Sequence, residues 1–342
     1  MFRLSLAAQL VALSLAAAAL APAAGRLDDY ALAHDHFYNL EYDEAIQANR
    51  RLIKQHPGDP LVYTDLAASI LYKELLRLGK LETKAFKDDN DFLSWEKPLP
   101  DPKAAEDFEK ALRRGREVAE AALEKDPRDP RALYSLSTNY GLEANYKFMV
   151  KKAYIGALRT GNKADSLGQR LIKTKPDFVD GYLVVGTHEY VVGSLPWAVR
   201  YMVAIGGIRG SKEKGERYVT RVAQEGDLAR DGARALLILM LRRESRPLEA
   251  VKVIEGLIRD YPRNYLMHLE LAGLYEDAGQ EDKALQVFRR IQAKVQANQD
   301  RFGRMPARAR EALTRKIKEL ERELQTRHQS FAGPASLAAQ HR

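Results

Sequence analysis

No cysteine occurs among the 342 residues. That absence removes disulfides, thiolate nucleophiles and Cys-based zinc sites together. It says nothing of compartment, since many exported proteins do without disulfides. Histidine is scarce, at seven. His34 and His36 stand two apart, which sends them to different faces of a helix. His188-Glu189 is not followed by the second histidine of a His-Glu-x-x-His pair. No metal site and no cofactor are expected. There is no Gly-x-Ser-x-Gly elbow and no Cys–His pair. The glycine-rich run 206–215 lacks the Gly-Lys-Ser/Thr ending of a phosphate loop, and no strand pattern precedes it. It reads as a turn between helices. A weaker reading keeps an anion site at the helix opened by Ser211, beside Arg209 and Lys212. Without a catalytic constellation, the chain is expected not to be an enzyme.

Long apolar runs are also lacking beyond the first residues. Arg3 precedes an apolar stretch from Leu4 to Leu20, and Ala21-Pro22-Ala23 fits the small-x-small cleavage rule. Residues 1–23 therefore read as a signal peptide, with Ala24 opening the mature chain. The rival reading is an uncleaved anchor, at the short limit for spanning. Both place the bulk of the chain outside the cytoplasm, and cleavage implies a periplasmic protein. Membrane contact is otherwise expected only as a variant in which residues 195–208 touch lipid; their Gly and Pro content favours a buried plug between repeats. Net charge is +8. Part of the excess lies in residues 301–328, with nine Lys or Arg against four Glu. The signs are mixed rather than striped and no nucleic-acid motif is present, so a solvated helix face is expected and nucleic acid is not.

What is present is helical periodicity with a repeat. Residues 231–297 hold two helix pairs in tandem, 34 residues apart. In one, Leu237, Ile238 and Leu241 are followed by Ala250, Ile254 and Leu257, and Pro262 stops the pair. In the other, Leu271, Ala272 and Tyr275 precede the Gly279 turn, then Ala284 and Phe288. Small Ala272 and Ala284 let two helices approach, and the aromatics fill the space beside them. One such hairpin cannot bury its apolar face alone, so neighbours must stack on it. This grammar resembles the tetratricopeptide (TPR) repeat. The resemblance implies an all-α, right-handed TPR-like α-solenoid of about six helix pairs, with insertions and a C-terminal capping helix. Residues 177–290 also resemble exported bacterial TPR-containing proteins.

Upstream the pattern recurs. Tyr30, Ala33 and Phe37 mark a first helix and Ala45 and Leu52 a second, closed by residues 56–60. Pro60 opens the next pair and Pro130 the third, since proline suits a first helical position. The third pair reads as one long helix running past Tyr146 to Tyr154, then a partner over about 163–173. The repeat domain is bounded at 24–300. Two departures interrupt it, at about 80–102 and 194–210. A basic capping helix follows over 301–328, carrying Leu313, Ile317, Leu320 and Leu324, and a disordered tail over 329–342.

In such an array the first helices line a concave groove. The candidate partner-binding positions are Tyr30, His34, Phe37, Tyr134, Thr138, Leu183, Thr187 and Tyr190, with Ala235 and Leu239 alongside. The Lys/Asn carboxylate clamp of some TPR proteins is absent: Tyr30 with His34, Thr64 with Ala68 and Tyr134 with Thr138 stand there. An apolar groove suits a peptide or helix laid along it, unless the insertions fill it and these residues are core. The function expected is a non-catalytic scaffold binding a protein or peptide partner in the cell envelope. The alternative is a small-molecule carrier or transporter accessory, with Tyr140, Tyr146, His188, Tyr190 and Trp197 lining an apolar pocket.

Overall fold

Helix starts follow directly from local chemistry. Three helices open on Asp-Pro. Asp59 Oδ1 accepts from Leu61 N at 3.0 Å, Asp101 Oδ1 from Ala104 N at 2.8 Å, and Asp129 Oδ1 from Arg131 N at 2.8 Å. Each aspartate satisfies an orphan amide of the first turn, and the proline after it has no amide to orphan. Ser211 and Asn264 cap two more, accepting from Lys214 N at 3.2 Å and Met267 N at 3.1 Å.

The computed structural model describes residues 27–81, 98–195, 197–205 and 207–332. The signal-peptide reading, most of the 80–102 insertion with Trp95, and residues 333–342 lie outside them. The described residues are helical without strands. We number the helices α1 (Leu27–Tyr38), α2 (Tyr42–Gln55), α3 (Pro60–Arg77), α4 (Pro102–Lys125), α5 (Pro130–Met149), α6 (Tyr154–Thr174), α7 (Tyr182–Gly193), α8 (Trp197–Ile205), α9 (Lys212–Glu225), α10 (Arg230–Arg243), α11 (Pro247–Asp260), α12 (Tyr265–Asp277), α13 (Glu281–Gln296) and α14 (Ala307–Ala332). The chain forms two compact units, Met1–Glu244 and Ser245–Arg342. The boundary falls inside the pair expected at 231–260, between α10 and α11.

In the first unit each helix packs on the next, from α1 to α7, then α7 on α9 and α9 on α10. The first helices of successive pairs also touch, α3 on α5 and α5 on α7. Alanine makes the crossings close: Ala45, Ala48, Ala67, Ala119 and Ala132 are fully buried. Glycine makes one closer still. A Cβ on Gly215 of α9 would stand 2.5 Å from Tyr190 N and 2.7 Å from Gly186 O of α7. In the second unit α11, α12, α13 and α14 pack in sequence. Leu313, Ile317 and Leu320 of α14 are buried, as a capping helix requires. That helix runs on to Ala332, past the expected start of the tail.

The 34-residue period reappears in backbone geometry. Ser245 and Gly279, 34 positions apart, both turn with positive φ, at 57° and 68°. The long third-pair helix is corrected. α5 stops at Met149 and α6 begins at Tyr154, nine residues before the expected partner. Lys152 is left-handed at φ 54°, and Lys151 N and Ala153 N fold back on Tyr146 O and Lys147 O. No glycine or proline marks this break, and the apolar pattern runs through it.

Candidate functional site

Every first-helix residue expected along the groove is buried or half-buried. Tyr30, Phe37, Tyr134, Thr138, Leu183, Thr187, Tyr190 and Leu239 are buried, and His34 and Ala235 are half-buried. The inner face of the first unit is thus packed rather than open. α1 also meets α10, with His34 Nε2 3.7 Å from Asp231 Oδ2. Burial pushes the His34 imidazole below its usual range, against the pull of Asp231.

The polar groups on this face bind one another. Tyr30 donates to Asp59 Oδ2 at 2.7 Å, and the Arg131 guanidinium reaches the same carboxylate. Burial would raise Asp59, but its hydrogen bonds and ion pair with Arg131 outweigh that and hold it low. Asp65, one turn further along α3, is pushed well above the carboxylate range by burial and by the charge of Asp59. Asp180 Oδ1 accepts from Ala229 N at 2.8 Å and Asp227 N at 3.0 Å, fixing the approach to α10. Burial drives the Tyr134 hydroxyl far up, with Asp180 and Asp65 adding to it. This face holds the unit together.

The carrier residues fall into separate environments. Tyr140 is buried between two cations, with Arg116 and Lys163 each 4.1 Å from its ring. Tyr146 packs on Phe108, centroids 4.8 Å apart. His188 of α7 faces Asn162 Oδ1 at 2.7 Å and Asp165 Oδ2 at 3.7 Å on α6. Burial holds His188 down and Asp165 up. Tyr190 donates to Glu244 Oε1 at 2.7 Å. Trp197 is 79% exposed, so no enclosed pocket joins it to the others. The anion reading at Ser211 is answered from within the chain. Glu189 Oε2 accepts from Ser211 N at 3.0 Å and Oε1 from Lys214 Nζ at 2.6 Å, so a carboxylate already occupies that helix start. At the α1–α2 turn, Asp35, His36 and Glu41 bring three donor atoms within 4.8 Å of one another. His36 Nδ1 donates to Glu41 at 2.6 Å, and Asp35 accepts from Asn39 Nδ2 at 2.9 Å, so these groups already tie the hairpin.

Two surfaces stand out, the first of them not anticipated from sequence. One is a cleft of about 480 Å³ between α4 and α5. Its floor is Phe108, Leu112 and Tyr146, all buried. Its rim alternates in sign: Arg116 bonds Glu143, Lys147 Nζ lies 2.6 Å from Glu143, and Lys151 Nζ lies 2.8 Å from Glu109. Arg113, Glu117 and Glu120 are exposed along it. Burial would raise Glu143, but Lys147 and Arg116 overcome it and keep it ionised. The i, i+3 and i+4 spacing of these charges was visible, but that α4 and α5 diverge enough to open a cleft was not. The second surface is α8. The expected buried plug is corrected: Trp197, Tyr201 and Ile205 are 79%, 68% and 75% exposed.

No family model matches the chain, and no curated protein matches it. Among solved structures, a thermophilic TPR protein of Thermus thermophilus is 16% identical, covering 72% of this chain and 97% of its own, at TM-score 0.38. A tetratricopeptide repeat protein of Parabacteroides merdae is 13% identical, covering 86% and 98%, at TM-score 0.32. Yeast Tom70 is 11% identical, covering 88% and 89%, at TM-score 0.25. On its own geometry of consecutively packed helix pairs with a 34-residue echo, this chain is a TPR-like, all-α helical-repeat protein.

Proposed function

We propose that this chain is a non-catalytic helical-repeat scaffold that binds a partner protein, and that it works in the cell envelope after export. The α4–α5 cleft carries the binding part of the reading. An apolar floor with a rim of both signs suits a short helical or extended segment that is apolar on one side and charged on the other. Rim charges of this kind set register and reject wrong partners more than they add affinity. Export rests on the basic start, apolar run and small-x-small site of residues 1–23.

The test is photo-crosslinking from Arg113 on the intact protein in its native cells, read by mass spectrometry. Capture of one dominant protein is expected, with loss on Lys147→Glu and Lys151→Glu. Capture that survives both charge reversals sinks the cleft as the binding surface. N-terminal sequencing of the same material should begin at Ala24. An unprocessed cytoplasmic chain refutes export.

A further inference from the structure

We propose that the α8 end of the first unit is a membrane-docking surface that lies on an anionic lipid bilayer at the headgroup level. It is independent of the α4–α5 cleft.

α8 has nine residues, and Trp197, Tyr201 and Ile205 recur every fourth position along it. That spacing stacks them in one stripe. All three face solvent, which is unusual for large apolar side chains on consecutive turns. Other exposed apolar residues share this end of the unit. α7 runs antiparallel to α6: Gly181, just before α7, lies against Leu171, Val185 lies against Gly168, and His188 meets Asn162 and Asp165. The end of α7 that leads into α8 therefore lies beside the start of α6, where Ile155 is 71% exposed. Lys152, just before α6, is held below its usual range by burial and by the charge of Lys80, just past α3. The end of α3 thus lies at this end of the unit, and Leu99, shortly before α4, is 86% exposed. Arg77 Nη2 holds that segment by donating to Leu99 O at 3.0 Å.

Chemistry selects the occupant. Residues 190–212 contain no Asp or Glu, whereas Arg200, Arg209 and Lys212 fall among them. Arg200 and Arg209 are exposed, and Lys212 is held by Glu244 at 2.6 Å. Trp and Tyr beside aliphatic side chains, with exposed arginines and with the flanking acids Glu189 and Glu244 tied to Lys214 and Lys212, match the interface between acyl chains and headgroups. Their rings bury an apolar body while the indole N–H and phenol keep water or headgroup partners. Nine helical residues span about 14 Å, far short of a bilayer core of about 30 Å, so α8 lies on the membrane and does not cross it. Among the described residues no helix is long and apolar enough to cross.

The chain has two tryptophans, so Trp95→Phe leaves Trp197 as sole reporter. The full-length protein would be mixed with phosphatidylcholine vesicles, with and without about one-third phosphatidylglycerol. Trp197 emission should move to shorter wavelength with the anionic vesicles. It should be quenched by brominated acyl chains, and the shift should fall as salt rises. Tyr201→Asp with Ile205→Asp should abolish it while leaving the circular dichroism unchanged. Vesicle binding without a Trp197 shift overturns the proposal, since the N-terminal segment would then account for binding. A shift without lipid that grows with protein concentration also overturns it, assigning the face to a second copy. If Trp95→Phe does not fold, Ala204→Cys supplies a unique thiol in this cysteine-free chain for an environment-sensitive dye, with the same outcomes.

Discussion

Asp65 is a carboxylate whose environment only the folded chain reveals. It is the sixth residue of α3, beyond the first turn that Asp59 caps. In the structure burial and the neighbouring Asp59 charge raise its pKa well above 3.8. Between 3.8 and that raised value the folded state keeps a proton the unfolded state has shed, so stability falls as pH rises through this window. Asp65→Asn should therefore raise the melting temperature at neutral pH, by about 2 °C or more. The gain should shrink as pH falls towards 3.8. A thermal melt series against pH checks this. A variant less stable at every pH would show that the ionised carboxylate is needed. No local pattern marks this, because Arg131 is spent on Asp59, 72 positions away.

At the scale of elements, starts were easier to read than stops. The capping aspartates and prolines that open α3, α4 and α5 act within a turn of themselves, and each starts its helix at or next to the expected residue. The end of α5 has no such marker. Lys152 takes a left-handed conformation that glycine usually fills, and packing of α6 against α5 supports it. Gly215 was visible too, at the end of a run that reads as a turn, while Gly186 reads as part of a first helix. They are contact points inside helices. Gly215→Ala should destabilise the protein by about 2–3 kcal/mol, because the new methyl meets backbone of α7 that cannot step aside. Gly256→Ala on α11 is the control. Its Cβ would meet only the far end of Arg259 at 3.7 Å. Helix propensity should make that change stabilising by about 0.5–1 kcal/mol. Denaturant titrations of both separate crossing geometry from intrinsic propensity; equal effects would refute the close-contact role of Gly215.

For the whole molecule, contacts concentrate within residues 1–244 and within 245–342. Repeat arrays gain stability from nearest neighbours, so cooperativity follows where those contacts are dense. Calorimetry should resolve two transitions, the smaller one belonging to the second unit. Leu257→Ala, at a fully buried site in α11, should lower only that transition. A single transition shifted as a whole would show the two units melting as one.

The sequence by itself determined most helix starts, the pairing within the repeats, the 34-residue period and the capping seam of α14. Each of these is local or nearly so: a cap, a proline, an apolar spacing of three and four. Only the tertiary structure decided what those helices expose. Packing between neighbouring helices buries the expected groove residues, and that packing follows from crossings set by many alanines and glycines at once. The same packing leaves Trp197, Tyr201 and Ile205 outside, because α7 and α9 close on each other through Gly186 and Gly215 with α8 looped out between them. Apolar composition alone could not say whether that segment was a plug or a surface. That depended on how much room two distant helices left between them.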